Sequence, residues 1–95
     1  PNALINAAAR IADHALINSG AIIQHECRIG PNTHIAPGAI LAGNVTVGED
    51  TLIGLGAKVL PGLSIGSHCT IAAGAVVTRN TPDNSKIAGI PAKPL

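Results

Sequence analysis

At 95 residues the chain reads as one domain, short for a conventional globular core, and it holds no Phe, Trp, Tyr or Met although 46% of it is apolar. Its net charge is +1, and the six basic residues are scattered from Arg10 to Lys93 with no basic run and no aromatic stacking platform, which argues against a nucleic-acid partner. There is no apolar run of membrane-spanning length and no basic-then-apolar leader, so the expectation is a soluble, cytoplasmic chain with no membrane partner. Its start at Pro1 without any Met reads as a processed or excised fragment.

In chain order, one aliphatic residue recurs every six positions: Ile5, Ile11, Ile17, Ile23, Ile29, Ile35, Leu41, Val47, Ile53, Val59, Ile65, Ile71 and Val77. Two residues before each of the later twelve stands a mostly small side chain, from Ala9, Ala15, Ala21, Cys27 and Thr33 through to Cys69 and Ala75. A period of six fits neither a helix nor a long alternating strand; it fits a solenoid. Within each repeat the aliphatic residue and the small residue two before it share the inward side, their neighbours point outward, and the other two residues make a corner. A core without aromatics must be thin, and the 11 glycines and 7 prolines fall at turn-like places that the period runs through. Beyond Val77 the pattern stops. Thr81-Pro82-Asp83-Asn84 breaks it, and Lys86 to Lys93 reads as an extended tail that caps unpaired strand edges. The expected division is a repeat domain over 1–82 and a tail over 83–95.

Against this bland repeat a few residues stand out. The run Asn18-Ser19-Gly20-Ala21-Ile22-Ile23-Gln24-His25-Glu26-Cys27 is followed by Ile29-Gly30, His34-Ile35-Ala36-Pro37-Gly38 and Leu41-Ala42-Gly43. Together they resemble the sialic acid O-acetyltransferase and nucleotide-sugar N-acetyltransferase group of the hexapeptide-repeat acyltransferases. Ala88-Gly89-Ile90-Pro91-Ala92-Lys93 is similar to the closing motif of such enzymes, so the resemblance runs from about Ile17 to the end. It implies an all-β fold, a left-handed parallel β-helix of about four triangular coils of 18 residues with a C-terminal capping tail.

The resemblance also implies acetyl-CoA as co-substrate and an activated amino sugar or sialic acid as the small-molecule acceptor. His25 matches the general base, for which an imidazole with a pKa of about 6.5 is suited. Glu26 matches the adjacent acid that favours the imidazolium. Asn18 matches a residue near the acceptor, and His34 one contacting acceptor or cofactor. Gly43 matches an oxyanion donor through its N–H, and Leu55 and Ala73 match backbone contacts to acetyl-CoA. Arg79 and Lys93 are candidates for the CoA phosphates. Two departures matter: Gln24 stands where the group often has Asp, and no α/β nucleotide-sugar-binding domain of the kind that usually precedes the solenoid is expected within these 95 residues.

Coils of 18 residues sort the outward positions. One face carries Leu4, Ile22, Ile40, Lys58 and Val76, another Leu16, His34, Leu52 and Thr70, and the third Arg10, Arg28, Thr46 and Ser64. Two faces are partly apolar and flank a slim glycine corner, which predicts a homotrimer. Cys27 and Cys69 fall inward and more than ~10 Å apart along the axis, so free thiols and a reducing compartment are expected. His14 and His68 share a polar corner column with Asn32 and Asp50. No histidine pair has the spacing of a solenoid zinc site, so no catalytic metal is expected. Two alternatives stay open: a hexapeptide acyltransferase with a different small acceptor, and a non-catalytic solenoid for assembly, which would not need His25, Glu26 and His34 at a subunit groove.

Overall fold

A computed structural model describes residues 3–95. The chain winds as a left-handed parallel β-helix, 31 × 20 × 20 Å, with three faces built from strands of two residues and one of three. The first face stacks β1 (Leu4–Ile5), β4 (Ile22–Ile23), β7 (Ile40–Leu41), β10 (Lys58–Val59) and β13 (Val76–Val77). The second stacks β2 (Arg10–Ile11), β5 (Arg28–Ile29), β8 (Thr46–Val47) and β11 (Ser64–Ile65). The third stacks β3 (Leu16–Ile17), β6 (His34–Ile35), β9 (Leu52–Ile53), β12 (Thr70–Ile71), β14 (Lys86–Ala88) and β15 (Lys93–Pro94). Through β13 each parallel pair joins residues eighteen apart, as in Leu4↔Ile22, Arg10↔Arg28 and Leu16↔His34. Every outward column expected from the sequence is therefore a physical column. No helix among the described residues is long and apolar enough to cross a membrane.

The corners explain why a six-residue unit suffices. One residue of each hexapeptide from 8 to 74 adopts positive φ, and the residues fall into three columns. They are Ala8, Glu26, Asn44 and Gly62; then His14, Asn32, Asp50 and His68; then Gly20, Gly38, Gly56 and Gly74. A left-handed residue turns the chain tightly enough to start the next face, and Gly, Asn, Asp and His tolerate that region best.

Inside, Ile23, Ile35, Leu41, Ile53 and Ile71 are fully buried, with Ala21, Ala39, Ala57 and Cys27 filling the small positions. The first coil departs from this. Ile5 is 46% exposed, and Ile11 and Ile17 are partly so, because no coil lies beneath them among the described residues. Three inward positions are polar, Thr33, Thr51 and Thr81, and the first two bind across coils. Thr33 Oγ1 donates to Gly48 O (2.6 Å) and accepts from Thr51 N, while Thr51 Oγ1 donates to Gly66 O (2.8 Å) and accepts from Cys69 N. Each hydroxyl thus joins its own coil to the next, and no buried side-chain polar atom among the described residues lacks a partner.

Beyond Val77 the chain completes a further turn with a shortened repeat. Thr81 bridges to Ile65 and Ile87 pairs with Ile71, offsets of sixteen in place of eighteen. Thr81 and Ile87 are both buried, so the inward rhythm resumes after one four-residue step. Lys93–Pro94 then returns antiparallel to β14 and covers its outer edge. Replacing Thr51 by Val keeps the shape but strips the bonds to Gly66 O and Cys69 N–H, and it should lower unfolding free energy by about 1–3 kcal/mol in urea titrations.

Candidate active site

Three groups of sequence-predicted residues occupy two corners of the triangle. The first lies at the corner between the first and second faces. There His25 and Glu26 make the turn after β4, and Gly43 and Asn44 make the same turn one coil on, where Asn44 N–H donates to His25 O (3.0 Å). The His25 ring lies over Gly43, and a methyl group built on Gly43 would fall 2.6 Å from Nε2 and 2.7 Å from Cε1. Only glycine lets the ring settle there. The other ring nitrogen, Nδ1, stands 3.5 Å from Glu26 Oε1, and both side chains are more than half exposed. A carboxylate beside Nδ1 favours the tautomer that carries the proton on Nδ1, leaving Nε2 able to accept one. The Gly43 N–H donates to no acceptor among the described residues.

Glu26 takes this position against its backbone preference. Its φ is 61°, whereas the same column offers Asn44 and Gly62, residues that enter the left-handed region readily. Gln24, where the resembled group often has Asp, is held by Asn6, whose amide donates to its Oε1 (2.8 Å). Behind the corner the Cys27 thiol is buried with Sγ 3.1 Å from Ala42 O, and burial pushes its pKa up, so it is a packing residue.

The second group is Asn18 and His34. Ser19 N–H donates to Asn18 Oδ1 (3.0 Å), which turns the amide Nδ2 toward His34 Nε2 at 3.2 Å. With Nδ2 as donor, neutral His34 accepts at Nε2 and carries its proton on Nδ1. The third group, Leu55 and Ala73, is stacked at the corner between the third and first faces, where Leu55 O accepts from Gly74 N (2.7 Å). Within one chain, His25, Glu26 and Gly43 are together and Asn18 and His34 are together. Leu55 and Ala73 share the Asn18 corner but lie two and three coils further along.

Three further features lie on the outside of the prism. A depression of about 450 Å³ on the second face is lined by Arg10, Arg28, Glu26, Asn44 and Thr46. Its only advance signal is the recurrence of Arg at an eighteen-residue interval. A cleft of about 280 Å³ at the C-terminal end brings Arg79 and Lys93 to one opening above Val77, Ile87 and Ala92. At the corner between the second and third faces, Glu49 joins Asp50 and His68, with one potential ligand atom from each within 4.8 Å of the others. All three are exposed, and His68 Nδ1 lies 3.7 Å from Asp50 Oδ2.

Comparison with known proteins places these features in context. The bacterial transferase hexapeptide family (six repeats) matches residues 8–43 and again 44–79. PerB from Caulobacter crescentus, solved with CoA and GDP-perosamine, is 36% identical with a TM-score of 0.93; the match covers 100% of this chain and 55% of that one. The acetyltransferase domain of PglB from Neisseria gonorrhoeae, solved with acetyl coenzyme A, is 33% identical with a TM-score of 0.87 over 100% of this chain and 55% of that one. Serine acetyltransferase (CysE) of Neisseria gonorrhoeae, solved with serine, is 29% identical with a TM-score of 0.88 over 95% of this chain and 42% of that one. The chain therefore spans about half the length of the first two. Among curated proteins no sequence matches it significantly.

Two substitutions test the corner itself. Gly43→Ala has an ordinary backbone conformation to occupy and a mobile ring to displace, so stability should change by no more than about 0.5 kcal/mol while the His25 imidazole NMR signals move. Glu26→Asn relieves the left-handed residue and should raise unfolding free energy by about 0.5–1 kcal/mol, read from denaturation midpoints.

Proposed function

The chain belongs to the bacterial transferase hexapeptide family, and from that membership we propose that it is the acetyl-CoA-dependent transferase portion of a sugar-modifying enzyme. Its acceptor is an amine or hydroxyl of an activated amino sugar or sialic acid. The observation that carries this reading is the His25 ring seated over Gly43 with the Glu26 carboxylate beside Nδ1. PerB and the PglB domain, solved with CoA or acetyl coenzyme A, support it.

The residues take the following roles. His25 Nε2 accepts the proton of the acceptor amine or hydroxyl as that atom attacks, and Glu26 stabilises the resulting imidazolium. Acetyl-CoA supplies the acetyl group as an activated thioester. The Gly43 N–H donates to the thioester oxygen as negative charge grows on it, and the missing side chain at Gly43 keeps the approach open. Asn18 and His34 hold the acceptor or the pantetheine arm as a hydrogen-bonded pair. Leu55 and Ala73 offer backbone groups along the same groove. Arg79 and Lys93 face the cofactor's phosphates from the end cleft.

His25 and the Asn18–His34 pair lie on different sides of one chain, so the complete site needs a second copy. We assign the assembly as a homotrimer in which the first face of one subunit packs on the third face of its neighbour. Leu4, Leu16, Leu52 and Leu55 are exposed on these faces and the corner between them, at 38–59%, and Ile22, Ile40 and Val76 are half-buried. Such outward aliphatic columns favour burial between copies. Two buried free thiols, Cys27 and Cys69, favour a reducing compartment, the cytoplasm.

The likeness to serine acetyltransferase favours a second reading, transfer to a different small hydroxyl or amine acceptor such as serine. Calorimetry with acetyl-CoA, with mass measured in solution, tests the common part: a trimer that binds the cofactor is expected, and a monomer that ignores it overturns the reading. Given binding, His25→Ala should leave acetyl-CoA affinity intact and lower transfer by about 10²–10⁴-fold. A panel of nucleotide-linked amino sugars, sialic acid and serine separates the two acceptors.

A further inference from the structure

The second face carries an arrangement that the transfer chemistry does not use. Arg10 and Arg28 are register partners on adjacent strands, β2 and β5, so two guanidinium stems leave the sheet side by side at about 4.8 Å. Like charges directly opposite each other destabilise a sheet. Among the described residues no carboxylate lies within ion-pair distance of either one, and none accepts a hydrogen bond from either guanidinium. Both arginines line the depression of about 450 Å³, and both line an adjoining one of about 290 Å³ that extends to Gly30. Thr46 continues the same ladder above Arg28, and Asn44 adds an amide at the rim. Glu26 is the carboxylate that lines the larger depression, and its Oε1 is directed to His25 Nδ1 at 3.5 Å. The concavity therefore offers two planar cations, a hydroxyl and an amide, immediately beside the candidate base.

We propose that Arg10 and Arg28 form a phosphate-binding pair that holds the phosphate end of a nucleotide-linked sugar while His25 and Glu26 face its amine or hydroxyl. This deepens the transferase reading and rests on it for the identity of the ligand, though not for the presence of an anion site. Guanidinium forks match phosphate oxygens in a bidentate fashion, and a dianion between them converts mutual repulsion into two charge-assisted contacts. One thing follows for specificity: sugars without a phosphate, sialic acid among them, lose this anchor. In the trimer assigned above the second face stays outside the subunit contacts, so the site remains open to an incoming acceptor.

Inorganic pyrophosphate is the probe, titrated into the full chain by calorimetry alongside acetyl-CoA. Arg10→Gln and Arg28→Gln should each weaken pyrophosphate at least about tenfold, the loss expected when a charge-assisted contact goes. Arg28→Lys should recover only part of that loss, because the charge stays and the fork goes. Lys86→Gln, an exposed cation that lines neither depression, should leave pyrophosphate binding unchanged, and acetyl-CoA affinity should be unchanged in both Arg10→Gln and Arg28→Gln. Absence of saturable pyrophosphate binding, equal weakening by Lys86→Gln, or loss of acetyl-CoA in place of pyrophosphate would each overturn the proposal; the last would assign the pair to the cofactor's phosphates. Pyrophosphate held by the arginines in a chain that ignores acetyl-CoA would support the anion site and overturn the transferase reading.

Discussion

Everything in this molecule depends on coil-to-coil register. The backbone N–H and C=O groups of each two-residue strand pair with the strand eighteen positions away, and a left-handed residue in every hexapeptide returns the chain to the same phase. Because two-residue strands have almost no pairing energy of their own, a slip at one corner would misalign every later coil and expose its aliphatic residues. The Thr33 and Thr51 hydroxyls reinforce that register from inside by bonding across coils. Chemistry is consequently confined to outward positions and corners, where a side chain can change without disturbing the stack.

This confinement explains what the sequence made legible. A strict period reports the inward residues directly, and once a coil length is supplied the outward columns follow by counting. The stacking of Gly43 on His25 was visible for the same reason, as an interval of eighteen. The last turn was not visible, since a two-residue shortening between Val77 and Thr81 shifts the phase, and a reader holding the original phase sees only its loss. The depression around Arg10 and Arg28 was also missed. Concavity depends on which neighbours are small, here Ala8 and Ala9, and composition does not announce it. The bond between Asn18 and His34 required coordinates too, because Ser19 sets the amide's orientation.

The candidate site is divided by the same geometry that makes it recognisable. A triangular section gives three sides pointing away from one another, so residues half a coil apart cannot meet within a chain. His25 and His34 are such residues, and only the packing of one copy's face on another's can bring their sides into one groove. Glu26 shows the local cost of placing a carboxylate at a corner. It holds a left-handed backbone that Asn or Gly would adopt more easily, and it does so where its carboxylate reaches the His25 ring.

The seating of His25 on Gly43 has a consequence for how such a scaffold can change its substrates. The two residues belong to different coils, so their relation is set by the rise of the stack, about 4.8 Å, and hardly at all by the chain between them. A functional group on this solenoid can be relocated along the axis only in whole rungs of that ladder, or moved to another edge of the prism. The scaffold behaves as a graduated ruler: the span between an acceptor's reactive atom and its anchoring group can be matched in discrete steps, and a substrate of intermediate length must bend to fit.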